Sequence, residues 1–467
     1  MSRTQRLRVR FKTPLMLALF AGILANCGAF AQDQASTPPA TDPRIAAALR
    51  VISADHIRAN IQTLVGFGNR STLSAQDSAA ISAGRGIGAA REWIKAEFGR
   101  YSAQCGGCLQ VKTDEFTHAP ADRVPQPTPI VNVYAVLQGT DPESAKRIVL
   151  VTGHYDSRNS DNLNTKDDAP GANDDASGTA VSLECARVLS KLKFPATIIF
   201  LAVAGEEQGL FGSEHFAEMV RQQNWNLEAV LNNDIVGGDK SAGQDPTTVR
   251  VFSEGLPLAA DDKQLQRIRR LGNENDSPSR ELARSIANTG ALYDIGLHPT
   301  LVLRLDRFLR GGDHSAFNEK GFAAVRFTEF HENFDRQHQN VRQENGVQYG
   351  DLPQFVDYDY VARVARLNAA TLATLALAPA PPANVRLDTS KLENDSTLTW
   401  EASPGGRAAS YDIVWRPTNS PNWEFSRNEG TALRATVPVS KDNVIFGVRS
   451  VDSDGHRSLV VSPEPVR

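Results

Sequence analysis

Residues 199–209 read IFLAVAGEEQG. The first six are apolar without a break, which suits a strand buried on both faces rather than one with a wet side. The run stops at Gly205 and meets two adjacent carboxylates, Glu206 and Glu207. Like charges side by side at the mouth of a buried strand repel each other and lose hydration, so they call for a cation or a chemical task. In open α/β sheets the carboxyl ends of the strands are where ligands bind.

Outward from this stretch the chain alternates. Apolar runs at 130–137, 147–153, 197–204, 228–232, 248–253 and 322–328 read as strands. Periodic segments at 177–192, 209–223, 278–290 and 357–377 read as helices, and helical spacing also runs through 44–65 and around 88–101. Near-continuous apolar strands between helices predict an α/β domain with a mostly parallel central sheet flanked by helices, over residues 44–377. Residues 378–383 are rich in Pro and Ala and read as a linker that tolerates cutting. Beyond them the texture changes to short alternating strands between turn residues, which predicts a C-terminal all-β sandwich over 384–467.

At the other end, a basic segment (MSRTQRLRVRFK) precedes an apolar one (PLMLALFAGILA) and then Ala29-Phe30-Ala31. This is the pattern of a signal peptide, residues 1–31, cleaved after Ala31 for export to the periplasm or outside the cell. A lipidated Cys27 is the rival reading, with Asn26 a poor residue to precede it. Residues 32–43 read as a flexible leader. Losing five basic residues takes the formal charge from −4 to −9. With no internal basic run, that argues against nucleic acid as a partner. No other stretch is long and apolar enough to span a membrane. Four cysteines are too few for a disulfide scaffold. In an oxidising compartment Cys105-Gly-Gly-Cys108 reads as a local disulfide, and Cys185, in a helical pattern, as a buried thiol.

Acids and histidines recur at the ends of the predicted strands. VLVTGHYDS places His154 and Asp156 past one strand and AVLNNDIVG places Asp234 past another. APGANDDASG places Asp174 and Asp175 before a helix, and AVRFTEFHENFD places His331 past the last strand. Taken singly, an Asp past a strand reads as a cap or turn residue, and a lone histidine, His314 and His338 included, reads as structural. Together, imidazole and carboxylate without thiolate form the donor set of a hydrolytic zinc-like site. Two metals need a bridging carboxylate, and a further carboxylate serves as general base on water. Glu206 and Glu207 divide such tasks naturally, one ligating and one taking a proton.

In this order, GHYDS, PGANDDASGTA, AGEEQGLFGS, NNDIVG and FHENFD resemble the M28 (aminopeptidase Y-like) zinc peptidases over roughly 45–377. The C-terminal segment resembles a fibronectin type III domain, with Trp400 and Tyr411 at core positions. The first resemblance implies the zinc exopeptidase fold and two Zn2+ per chain. One ion would be held by His154, Asp174 and Asp234, the other by Asp174, Glu207 and His331, with Glu206 as general base and Asp156 orienting His154. It also implies a cis peptide after Asp174. Relatives often carry a tyrosine before the last histidine, where this chain has Phe330. Asp313 and His314 of RGGDHSAFN read as supporting residues. The function expected is removal of N-terminal residues from peptides, with the amine met by zinc or by Asp156, Asp175 or Glu329, and with C-terminal amidation of little consequence. Alternatives are an endopeptidase or carboxypeptidase on the same site, a single-zinc glutaminyl cyclase, and a non-catalytic binding protein on a peptidase fold.

Overall fold

The structure is a computed structural model and describes residues 41–467. The predicted signal peptide, Cys27 and most of the leader lie outside the described residues. The last leader residues are not loose. Asp42 caps the helix Pro43–Arg50, accepting from Arg44 N at 2.7 Å, with Pro43 at the first helical position, where its missing N–H is not needed.

One eight-stranded sheet organises the first part of the chain. Its strands are β1 (Leu109–His118), β2 (Thr128–Leu137), β3 (Arg147–His154), β4 (Thr197–Val203), β5 (Asn226–Asn233), β6 (Thr248–Ser253), β7 (His298–Val302) and β8 (Ala324–Glu329). The spatial order is β1-β2-β4-β3-β5-β8-β6-β7. The four central strands β4, β3, β5 and β8 are parallel. β1 and β2 join antiparallel on one side, and the parallel pair β6–β7 joins antiparallel to β8 on the other. Every residue of β3 and β4 is buried, as their unbroken apolar runs predict. Six of these strands coincide with the predicted apolar runs; β1 and β7, whose burial is partial, lack such a run.

Connectivity sets the position of the site. From β3 the chain passes through the helix Ala176–Leu189 to β4 on one side. From β4 it passes through Phe211–Gln222 to β5 on the other side of β3. The first helix packs in the core on one face of the sheet, and Phe216, Ala217 and Val220 of the second pack in the core on the opposite face. The strand order therefore reverses at β3, and a crevice opens at its carboxyl end. The first turn of Ala176–Leu189 fits there because Gly178 lacks a side chain: a Cβ would stand 2.0 Å from the Asn233 carbonyl oxygen.

The C-terminal part forms two sheets. One contains Arg434–Val437, Ser396–Glu401, Ala383–Asp388 and Glu464–Val466; the other contains Phe425–Asn428, Ser410–Pro417 and Val444–Val451. Trp400, Tyr411, Ile413, Trp415 and Phe446 fill the core between them. Residues 378–382 do not behave as a spacer, because all but Pro381 are buried. Arg147 Nη1 donates to the Ala378 carbonyl at 2.8 Å from one side, and Ser450 Oγ donates to the Ala380 carbonyl at 2.6 Å from the other. The β-region also packs on the helix Pro278–Leu292. Arg416 pairs with Asp276, both fully enclosed, and Trp423 Nε1 donates to Glu281 Oε2 at 2.9 Å. Cys105 and Cys108 are disulfide-bonded and Cys185 is a buried free thiol. Among the described residues no helix is long and apolar enough to cross a membrane.

Candidate metal centre

His154 ends β3, Glu206 and Glu207 follow β4, and Asp234 follows β5. The loop 169–175 brings Asp174 between them. His154 Nε2 is buried and has no hydrogen-bond partner. It faces Asp174 Oδ1 at 3.2 Å, Asp234 Oδ1 at 3.8 Å and Glu206 Oε2 at 4.0 Å. The other oxygen of Asp174 faces a second imidazole, His338 Nε2, at 2.8 Å, and His338 Nε2 also lies 3.2 Å from Glu207 Oε2. Two donor sets result, each with ligand atoms within 4.8 Å of one another: His154, Glu206 and Asp234, and Asp174, Glu207 and His338. The single Asp174 carboxylate stands between the two histidines.

His331 is not part of this arrangement. It is exposed, and Gln244 holds it outside: His331 N donates to Gln244 Oε1 at 3.0 Å, and Gln244 Nε2 donates back to the His331 carbonyl at 3.1 Å. After β8 the loop first runs out through Phe330, His331 and Phe334, all exposed. It returns at Gln337 and His338, the latter with a φ of 56° in the left-handed region that histidine tolerates better than most residues.

The remaining predicted residues divide by task. Asp156 accepts the backbone N–H of Glu206 at 3.4 Å and of Glu207 at 3.2 Å, and Thr72 Oγ1 at 3.0 Å. Its own carbonyl lies 3.2 Å from His154 Nδ1 and its carboxylate 3.5 Å. It therefore fixes both the ring and the two glutamates. Asp175 accepts from His154 N at 3.0 Å, Gly178 N at 2.8 Å and Ile235 N at 3.3 Å, tying three segments together. The peptide between Asp174 and Asp175 is cis. Glu329 is buried on Asn173 Nδ2 and Asp239 N, at 3.0 and 2.8 Å. None of Asp156, Asp175 and Glu329 is free to meet a substrate amine. Asp313 is buried, and burial pushes it up to about 7. His314 Nε2 lies 2.9 Å from the Leu305 carbonyl, bracing the loop before it.

Four supporting residues had no local signal in the sequence. Arg326, fully buried on β8, sets Nη2 3.0 Å from Asp234 and Nη1 3.1 Å from Asp306. Arg158 Nε donates to Glu207 Oε2 at 2.9 Å and its Nη2 lies 2.6 Å from His338 Nδ1. Asp351 accepts Asn173 N and Asp174 N at 2.9 and 2.7 Å, which fixes the bridging loop. Gln337 Nε2 donates to Asp174 Oδ2 at 3.0 Å, beside His338 on the same carboxylate oxygen. Ile235, next to Asp234, has φ of 60°, a strained state for a β-branched residue of the kind held at functional turns.

The electrostatics reflect carboxylates crowded around two imidazoles. Burial disfavours charge on Glu206 and, with Asp234 and Glu207 nearby, raises its proton affinity well above the usual carboxylate range. Burial alone would strip the proton from His154, but Glu206 and the neighbouring carboxylates outweigh it and hold the proton on. Burial likewise opposes a charged His338, yet Glu207 and Asp174 lift it to about 10. In the bare polypeptide, protons compensate the acids; divalent ions do the same and displace those protons. Buried Nε2 of His154 and Oε1 of Glu207, both without partners, complete a donor set of nitrogen and oxygen that fits zinc.

The profile of Peptidase family M28 matches residues 132–358. A probable zinc metalloprotease of Leptosphaeria maculans is 46% identical over 91% of this chain and 98% of its own. One of Pyricularia oryzae is 48% identical over 91% of this chain and 85% of its own. The chain belongs to peptidase family M28. As an M28 zinc metallopeptidase it shares its fold with solved structures of low identity. Legionella pneumophila LapA, an aminopeptidase, is 22% identical, with a TM-score of 0.50 over 72% of this chain and 76% of that one. Macrostomum lignano glutaminyl cyclase is 14% identical, with a TM-score of 0.50 over 73% and 94%.

Proposed function

We propose that this M28 peptidase is an exported two-zinc aminopeptidase, with residues 44–377 as the catalytic domain and 384–467 as an accessory domain. The observation that carries the reading is Asp174, one carboxylate with an imidazole at each oxygen. His154 and Asp234 would hold one ion with Asp174, and Glu207 and His338 the other. When bound, the ions supply Lewis acidity and lower the pKa of water. Glu206 keeps some exposure toward the cavity, at 14% of its side chain. Its proton affinity, raised by burial, suits a base that takes a proton from attacking water and returns it to the departing amine. Arg326 and Asp156 keep Asp234 and His154 in place while charge develops.

The test is hydrolysis of matched peptides with free and acetylated N-termini by zinc-loaded protein, with zinc counted per chain. Cleavage of the free peptide alone with two zincs supports the reading. Equal cleavage points to an endopeptidase. One zinc with cyclisation of N-terminal glutamine points to a cyclase. A chelator should abolish activity and zinc restore it.

A further inference from the structure

The cavity above the carboxylates is small, about 280 Å³, and its lining is divided by charge. Asp174, Glu206, Glu207 and Asp234 form the floor, and Arg123, Arg158, Arg307 and Arg310 stand around it. Two of these guanidiniums have structural partners that account for them. Arg158 holds Glu207 and His338, and Arg307 Nε holds Asp306 at 3.0 Å. The other two are under-compensated. Arg310 Nη1 reaches Glu332 Oε2 at 3.0 Å, but Arg307 takes the same oxygen at 2.7 Å and Arg250 takes Oε1 at 2.9 Å. Three guanidiniums thus share one carboxylate. Arg123 is exposed and donates Nη1 to the Glu207 carbonyl at 3.2 Å; among the described residues it pairs with no carboxylate.

A guanidinium with free donors fits a carboxylate in bidentate fashion. A cationic rim over an acidic floor orients a zwitterion, with the amine inward and the acid outward. The cavity is at the lower end of small-molecule sites, which span about 300–1,000 Å³, so it seats one or two residues. We infer that Arg123 and Arg310 bind a carboxylate of the peptide beyond the scissile bond, and that the protein prefers short peptides carrying a C-terminal carboxylate or an acidic side chain there. The inference rests on the peptidase reading and reverses the expectation that amidation matters little.

The zinc-loaded enzyme is to be assayed on Leu-Ala, Leu-Ala-amide and Leu-Glu-amide. KM for at least one of the two carboxylate-bearing peptides should be about tenfold below that of Leu-Ala-amide, the effect of one charge-assisted hydrogen bond. Which of them gains distinguishes the C-terminal source from the side-chain source. Arg123→Gln, at an exposed position, should shrink the difference through KM rather than kcat. Adding Arg310→Gln should remove it; Arg250 and Arg307 still hold Glu332, so the fold survives. One KM for all three peptides, or a preference that persists in the double variant, overturns the inference while leaving the peptidase reading intact. Failure to cleave any of them overturns both.

Discussion

Replacing His338 with alanine separates the site in the structure from the one that strand-end logic suggests. His338 Nε2 faces both Asp174 and Glu207, while Nδ1 faces Arg158. A four-ligand zinc site worth about 10–16 kcal/mol, divided evenly, gives about 2.5–4 kcal/mol per ligand, or about two to three orders of magnitude in Kd. His338→Ala should therefore retain about one zinc per chain after dialysis at micromolar free zinc, against two in the wild type, and lose most of its turnover. The fold should persist, because Arg158 keeps its pairing with Glu207. His331→Ala removes an exposed ring and should change stability by less than about 0.5 kcal/mol, with zinc content and kcat unchanged. Zinc by mass spectrometry and Kd by competition with a chelating dye read both variants. Loss of zinc from His331→Ala with full occupancy in His338→Ala would refute the argument.

Glu206→Gln should keep its zinc while kcat falls by about 10²–10⁴, the range for a lost general base; full turnover would return the role to another group. Arg416→Ala leaves Asp276 enclosed with only Arg284 at 4.0 Å. It should cost about 3–5 kcal/mol, which for a chain of this length is a fall of about 3–6 °C in Tm by calorimetry; no shift would mean that the contact is dispensable. A chain ended near Pro379, which the Pro/Ala composition suggests is harmless, should be less stable than the whole protein in denaturant, and equal midpoints would refute this. His456 links the two parts of the chain, with Nδ1 2.9 Å from Asp452 and Nε2 3.1 Å from Asp42, while Arg44 and Arg407 flank those acids. Burial opposes its charge but the two carboxylates raise its pKa above the usual histidine value. A raised folded pKa adds stability that is complete below the unfolded value, near 6.5, and is lost as pH rises through the folded one. The Tm penalty of His456→Gln should thus be larger at pH 6 than at pH 9, and a penalty independent of pH would refute the charged link.

What the sequence discloses is what local pattern encodes. Residues 147–154 and 197–203 are apolar on both faces, so their strands, their neighbours and the acids at their ends could be located. His154, Asp174, Glu206, Glu207 and Asp234 lie within a few residues of a predicted strand or helix end, and the structure gathers all five. His338 lies nine residues past β8 on a loop that leaves the site and returns, and nothing local says where such a loop comes back. DRQHQN is a polar run whose only clue is a second histidine near the first. Arg326 sits inside a strand, where a charge reads as a solvent-facing residue until Asp234 and Asp306 are seen on either side. Residues 378–383 look like a spacer because proline and alanine carry no polar side chain, yet that also lets them lie buried while Arg147 and Ser450 take their carbonyls.

The pinned crossing at 378–382 also bears on synthesis. The eight-stranded sheet is complete at Glu329, before the β-region 384–467 is made, so at about 5–20 residues per second the helix Pro278–Leu292 waits for its partner for several seconds or longer. The surface exposed in that interval includes Asp276, Glu281 and Arg284. Until Arg416 and Trp423 arrive, these ionised groups keep that part of the surface hydrated; afterwards they are the partners that hold the β-region in place.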